Sequence, residues 1–96
     1  MYKRHDLYHE VSLVMQSSSN IVLDVRAVEL IDSSGLGFIL NCFKDLVANG
    51  GSLKVVADKA MVLSLFELVY FYKIVEVYRS VDEAVSSFES EMKSAQ

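Results

Sequence analysis

Apolar residues along this chain switch between two spacings, and the switch repeats. Short β-branched runs at residues 21–25, 52–57 and 73–78 read as strands. Between and around them, apolar positions recur every three or four residues, the spacing of a helix with one buried face. Leu7, Val11, Val14 and Met15 mark a first helix over about residues 7–16. Leu36, Ile39, Leu40, Phe43 and Val47 mark a second, ending at Asn49-Gly50-Gly51, where glycine can take the left-handed conformation that closes helices. A third covers about residues 59–68. A fourth covers about residues 81–92, opened by Ser80 and Glu83 at capping-box spacing.

Strands alternating with helices imply stacked βα units and a mainly parallel sheet, so the fold class is α/β. If the strands pair in sequence order with right-handed crossovers, both crossover helices fall on one face. Ile21, Leu23 and Val25 then face one way, and Val22 and Asp24 the other. Lys54 and Glu76 put charges on the remaining strands, so the expectation is one packed face and one partly wet face.

Composition narrows the class. Ninety-six residues, just over half apolar, suit a single domain over 1–96, with 1–6 and 93–96 expected to fray. Thirteen acidic against nine basic residues give a net charge of −4 with the cations scattered, so the footprint of a nucleic-acid binder is missing. No apolar run is long enough to cross a bilayer and no signal peptide opens the chain, which points to a cytoplasmic protein without direct membrane insertion. The single cysteine, Cys42, lies in an apolar helical stretch and reads as a small core residue in a reducing compartment.

The segment Ile31-Asp32-Ser33-Ser34-Gly35-Leu36-Gly37 sits where a buried strand has run out and the second helix begins. Asp32 is a good N-cap, able to accept from N–H groups one turn ahead. Unpaired N–H groups and the positive end of the helix dipole favour an anion there. Gly35 and Gly37 weaken the first turn, which makes sense if another protein's backbone must approach closely or if a kinase must draw the serine into its site. Residues alone give a capped turn with reachable hydroxyls at Ser33 and Ser34, of which Ser34 is the better placed to bond within the turn.

With the strand Ile21-Val22-Leu23-Asp24-Val25 ahead and Gly50-Gly51-Ser52-Leu53 behind, this string resembles the phosphorylation motif of STAS domains, especially the anti-sigma factor antagonists. The resemblance implies a right-handed βα superhelix. It also implies that Ser33 is the phosphoacceptor, modified by a serine kinase that is itself the anti-sigma factor and restored by a PP2C-type phosphatase. Asp32, Ser34, Gly35, Gly37 and Phe38 would form the partner surface, bordered by Asp24 and Arg26. No cofactor or metal is implied. A second reading within the family is a structural subunit of an ABC-type or anion transport system. One departure stands out: the family usually carries strands ahead of its first helix, and Met1-Tyr2-Lys3-Arg4-His5-Asp6 is too short and polar to supply them. The sheet edge is therefore expected to be open, inviting a homodimer or an obligate partner, or the chain is part of a longer one.

Other features carry less. His5 and His9 have helical spacing, but two ligands make a poor zinc site. Tyr70-Phe71-Tyr72 are either core plugs or interface aromatics. The stripe Met61, Leu65, Leu68 reads as core. No nucleophile elbow and no glycine-rich phosphate loop occurs, so neither a hydrolase nor a nucleotide-binding protein is indicated.

Overall fold

The computed structural model describes residues 12–15 and 20–94. Among these, β1 (Ser12–Met15), β2 (Asn20–Asp24), β3 (Ser52–Val56) and β4 (Glu76–Tyr78) form one sheet in sequence order. The pairs β2–β3 and β3–β4 are parallel, and β1 runs antiparallel to β2. The crossovers contain α1 (Ser33–Ala48) and α2 (Ala60–Leu68), and α3 (Val81–Ser94) follows β4.

Leu23 and Val25, with Leu53 and Val55, turn toward α1 and α2 and pack with Ile39, Val62 and Phe66. Their β-branched and leucine side chains alternate with residues of the opposite face, as the pleat requires. α1 stops where the sequence places its end. Gly50 takes φ 83°, the N–H of Gly51 donates to the Leu46 carbonyl (2.8 Å), and that of Gly50 to Val47 (3.0 Å). This is a Schellman closure, and it needs a residue that tolerates positive φ.

The structure corrects four expectations. Residues 12–15 are a strand, not the end of a helix; residues 7–11 and 16 lie outside the described set. Ser12 pairs with Asp24 and Met15 with Ile21, so the backbone groups along β2 that would otherwise stand open are bonded. Tertiary pairing overrides a short helical period, and the β2 edge is covered rather than open. Second, the far face of the sheet is packed. α3 lays Ala84 and Phe88 on Val22 and Val56, and Lys54 beneath it is 1 % exposed. Third, the last strand is shorter than 73–78. Phe71–Lys73 form a single 3-10 turn in which the Tyr70 carbonyl accepts from the Lys73 N–H and the Phe71 carbonyl accepts from the N–H groups of both Ile74 and Val75. Phe71 is drawn inward to stack on Phe66 at 4.3 Å between centroids, so the backbone curls before β4 can start.

Fourth, Met61 and Leu68 are 67 % and 76 % exposed; the buried positions of α2 are Val62 and Phe66. The helix reads Ala-Met-Val-Leu-Ser-Leu-Phe-Glu-Leu, apolar on nearly every side, so spacing could not choose its inner face and the sheet did. The α3 start matches expectation: the Ser80 hydroxyl accepts from the Glu83 N–H at 3.2 Å, and the Glu83 carboxylate accepts from Ser80 and from the Arg79 N–H. α3 continues to Ser94. His5, His9 and residues 1–6 lie outside the described set.

Candidate functional site

Parallel strands send their following loops to one end of the sheet, so the segments after β2 and β3 meet there, beside the start of α1. Val28 and Ile31 are buried and anchor the β2–α1 loop, with the Val28 N–H donating to the Val25 carbonyl at 3.0 Å. That fixes Asp32 in extended backbone (φ −99°, ψ −175°) as the N-cap. Its Oδ1 accepts from the Gly35 N–H at 2.9 Å, and its carbonyl accepts from the Leu36 N–H at 3.0 Å.

Ser33 and Ser34 are the first two residues of α1, and both are exposed. The local bond expected of Ser34 is not formed: among the described residues neither hydroxyl has a hydrogen-bond partner. Gly35 is buried under the turn. Gly37 is half-buried, yet a Cβ built on it meets nothing within 4 Å. The chain's own packing therefore does not require glycine at 37. Residue 37 follows 33 by four and lies on the same face of the helix. Phe38 is half-buried instead, packed against the core and lining an apolar hollow of about 260 Å³ with Cys42 and Leu46.

Asp24 and Arg26 sit where β2 gives way to the loop. The Arg26 guanidinium grips the Asp24 carboxylate through Nε (3.0 Å) and Nη2 (2.8 Å), and the Arg26 N–H adds a third bond of 3.0 Å. These bonds hold the Asp24 carboxyl below its ordinary pKa against the opposing effect of burial, and raise that of Arg26. Arg26 is thus committed to Asp24. The Lys59 ammonium donates to the Arg26 carbonyl and ties the loop after β3 to the loop after β2. Burial, with Asp45 nearby, raises the pKa of the Cys42 thiol, so it stays protonated at neutral pH.

Among the described residues no three His, Cys, Asp or Glu side chains converge as metal ligands, and no helix is long and apolar enough to cross a membrane. One feature escaped sequence reasoning. Leu30, Ile31, Met61, Val62, Leu65 and Leu68 line an apolar hollow of about 240 Å³ beside the motif. The surplus of apolar residues in α2, more than one buried face can use, was its signal.

A fold of this topology, with a capped Asp-Ser-Ser-Gly turn at the head of its first crossover helix, is that of the STAS domains. The STAS domain pattern matches residues 5–84, and the chain belongs to that family. Its relatives include a Thermotoga maritima protein provisionally named an anti-sigma factor antagonist, 33 % identical over 67 residues (70 % of this chain, 59 % of that protein). Another is an anti-sigma F factor antagonist of Paenibacillus polymyxa, 31 % identical over 70 residues (73 % of this chain, 60 % of that protein). The chain therefore spans about three-fifths of the length of these two relatives. A crystal structure of a Thermotoga maritima protein, likewise provisionally assigned as an anti-sigma factor antagonist, superposes with a TM-score of 0.68 at 20 % identity, covering 86 % of this chain and 97 % of that one. That likeness establishes the fold.

Proposed function

We propose that this chain is a phosphorylation-switched interaction module: an anti-sigma factor antagonist that binds an anti-sigma factor with serine kinase activity while Ser33 is unmodified. A PP2C-type phosphatase resets it. The exposure of the Ser33 hydroxyl at the first position of α1, with Asp32 rather than Ser33 capping the helix, carries this reading. An enzyme can reach the oxygen without unfolding the turn.

Phosphorylation adds about −1.5 to −2 charges at neutral pH. At a helix N-terminus, where no acidic residue occupies the first turn, the dipole favours that charge by about 0.3–1 kcal/mol. The isolated fold tolerates the phosphate. A partner packed over Ser33 must desolvate it against its own surface, and every ~1.4 kcal/mol of that cost weakens binding tenfold. Charge inserted into a docking face is a sufficient switch, with no refolding of the domain. Asp32, Ser34 and Gly37 border that face, Gly35 lies buried beneath it, and the exposed apolar side chains of Leu30 and Met61 extend it. Phe38 contributes through its exposed edge, and the Asp24–Arg26 pair stiffens the loop that delivers the motif.

The test begins with intact-mass analysis of protein isolated from its source cells, where one phosphate should map to Ser33. In titrations with the kinase that installs it, Ser33→Asp should bind about 100-fold more weakly than wild type, equivalent to about 2.7 kcal/mol. Its circular dichroism should be unchanged, and Ser33→Ala should bind constitutively. Equal binding by both variants rejects the switch.

A further inference from the structure

Helix α2 carries two apolar faces. One, with Val62 and Phe66, is buried against the sheet. The other holds Met61, Ser64, Leu65 and Leu68, which follow one another at i, i+3, i+4 and i+7 and so form a single stripe along the helix. At 3.6 residues per turn, this stripe points about 130° away from the buried one. Met61 and Leu68 stand in solvent and Leu65 is half-buried. Leu30, 64 % exposed in the β2–α1 loop, lies across from them, and Ile31 lies buried between. Together these side chains line the apolar hollow of about 240 Å³. Apolar side chains held in water contribute little to the fold, and they favour a second apolar surface that would cover them.

We infer that the α2 stripe and the Leu30 wall seat one amphipathic helix of the proposed kinase partner, with basic residues along its edges. The inference rests on the reading of Ser33 given above and says what else the same partner covers. Leu30 precedes Ser33 by three residues, so their Cα atoms lie within about 11 Å. A standard interface takes ~800 Å² from each partner, a patch about 16 Å in radius. A kinase centred on the Ser33 hydroxyl therefore reaches Leu30 and the head of α2, where Lys59 ties the two loops together. Shape selects the occupant. A helix laid in a groove needs apolar anchors at this spacing, and two of its turns match the ~10 Å length of the stripe. Ser64, the small side chain among the four, stands mid-stripe, where two helices crossing come nearest. Charge selects the flanks. Glu29 is exposed beside Leu30, and Glu67 is exposed beside Leu68. The cations at the head of the groove are occupied, Arg26 by the Asp24 carboxylate and Lys59 by the Arg26 carbonyl. On a chain of net charge −4, lysine or arginine on the entering helix complements these acids.

Titrations with the purified kinase that phosphorylates Ser33 test this, in the Ser33→Ala background so that no phosphate intervenes. Leu30→Ser, Met61→Ser and Leu68→Ser replace exposed side chains and should keep the circular dichroism spectrum, while each weakens binding about three- to tenfold. Ser64→Trp fills the hollow and should weaken it at least about tenfold. Glu29→Lys should weaken it about two- to fivefold, with the difference shrinking as salt is raised. Hydrogen exchange on the complex should protect one helix of the kinase that bears an apolar face between basic residues. A Ser33→Ala chain that fails to bind defeats the switch and this inference with it. A Ser33→Ala chain that binds, with the groove variants binding as tightly, overturns the groove alone; so does protection confined to an acidic or non-helical segment of the kinase.

Discussion

At the start of α1, two hydroxyls stand in solvent, and one carboxylate behind them holds the turn. On the other side of the sheet, beneath α3, a single ammonium is sealed in. Lys54 donates to Glu76 (3.1 Å), Ser87 (2.7 Å) and Glu91, with its charge 4.6 Å from the centroid of the Phe88 ring and 5.6 Å from that of Tyr78. One consistent assignment of protons runs from Lys54 to Ser87, from Ser87 to Tyr78, and from Tyr78 to Glu76. No described buried side-chain polar atom is left without a partner. At the first region a charge can be added because little depends on the hydroxyls. At the second, the bonds of Lys54 to Ser87 and Glu91 and of Tyr78 to Ser87 fasten α3 to the sheet. Changes at the first should move binding and spare stability, and changes at the second should do the reverse.

The largest effect expected is from Lys54→Ala. It removes a fully buried four-carbon stem and leaves a cavity under α3, which should cost about 2–4 kcal/mol by urea denaturation. Lys54→Met keeps most of the volume and should cost no more than about 1 kcal/mol. Its charged partners permit this: the Glu76 and Glu91 side chains are 56 % and 53 % exposed, so they regain water when the ammonium goes. Equal losses in the two variants would mean that the charge, not its stem, holds the helix.

The same cluster should shape stability against pH. Burial pulls the Lys54 pKa down, but its bonds to Glu91 and Glu76 more than offset this, and the net shift is upward. Its contribution is therefore complete below the unfolded lysine value of about 10.4 and is lost as pH rises through the higher folded value. Glu76 is shifted the other way, chiefly by the Tyr78 hydroxyl and then by Lys54, and Asp24 likewise by Arg26. Their contributions are present above about pH 4 and are lost as pH falls through the lowered values. Thermal unfolding should show a plateau that declines on both sides. Lys54→Met should flatten the alkaline decline and keep the acid arm set by Asp24, whereas identical alkaline limbs would remove Lys54 from the account.

What was legible in the chain follows the same division. The α1 cap, the Gly50 closure, the Ser80–Glu83 box and the alternation of β2 rest on residues near one another in sequence, so spacing and residue type suffice to read them. Lys54 meets Glu76, Ser87 and Glu91 across 22, 33 and 37 residues, and no local pattern announces such a meeting. It read as a wet charge because α3 had no assigned place. Strand β1 was hidden for a related reason: a short apolar stretch fits both periods, and only β2 decides between them. Met61 and Leu68 misled because α2 has more apolar residues than one buried face can hold.

The smallest effect is the most discriminating, and it concerns Gly37. A Cβ there meets nothing within 4 Å, and the residue lies inside a helix of 16 residues. Gly37→Ala should then stabilise the isolated chain by about 0.5–1 kcal/mol, seen as a rise of roughly 3–6 °C in Tm. Stability gained so cheaply, yet not taken, points to the surface rather than the fold. If the face shared by Ser33 and Gly37 must let another backbone close in, the added methyl should weaken binding of the proposed kinase partner even as it raises Tm. A variant that is both more stable and equally tight would confine the docking face to the first turn of α1, and the reason for glycine at 37 would have to be sought away from the partner.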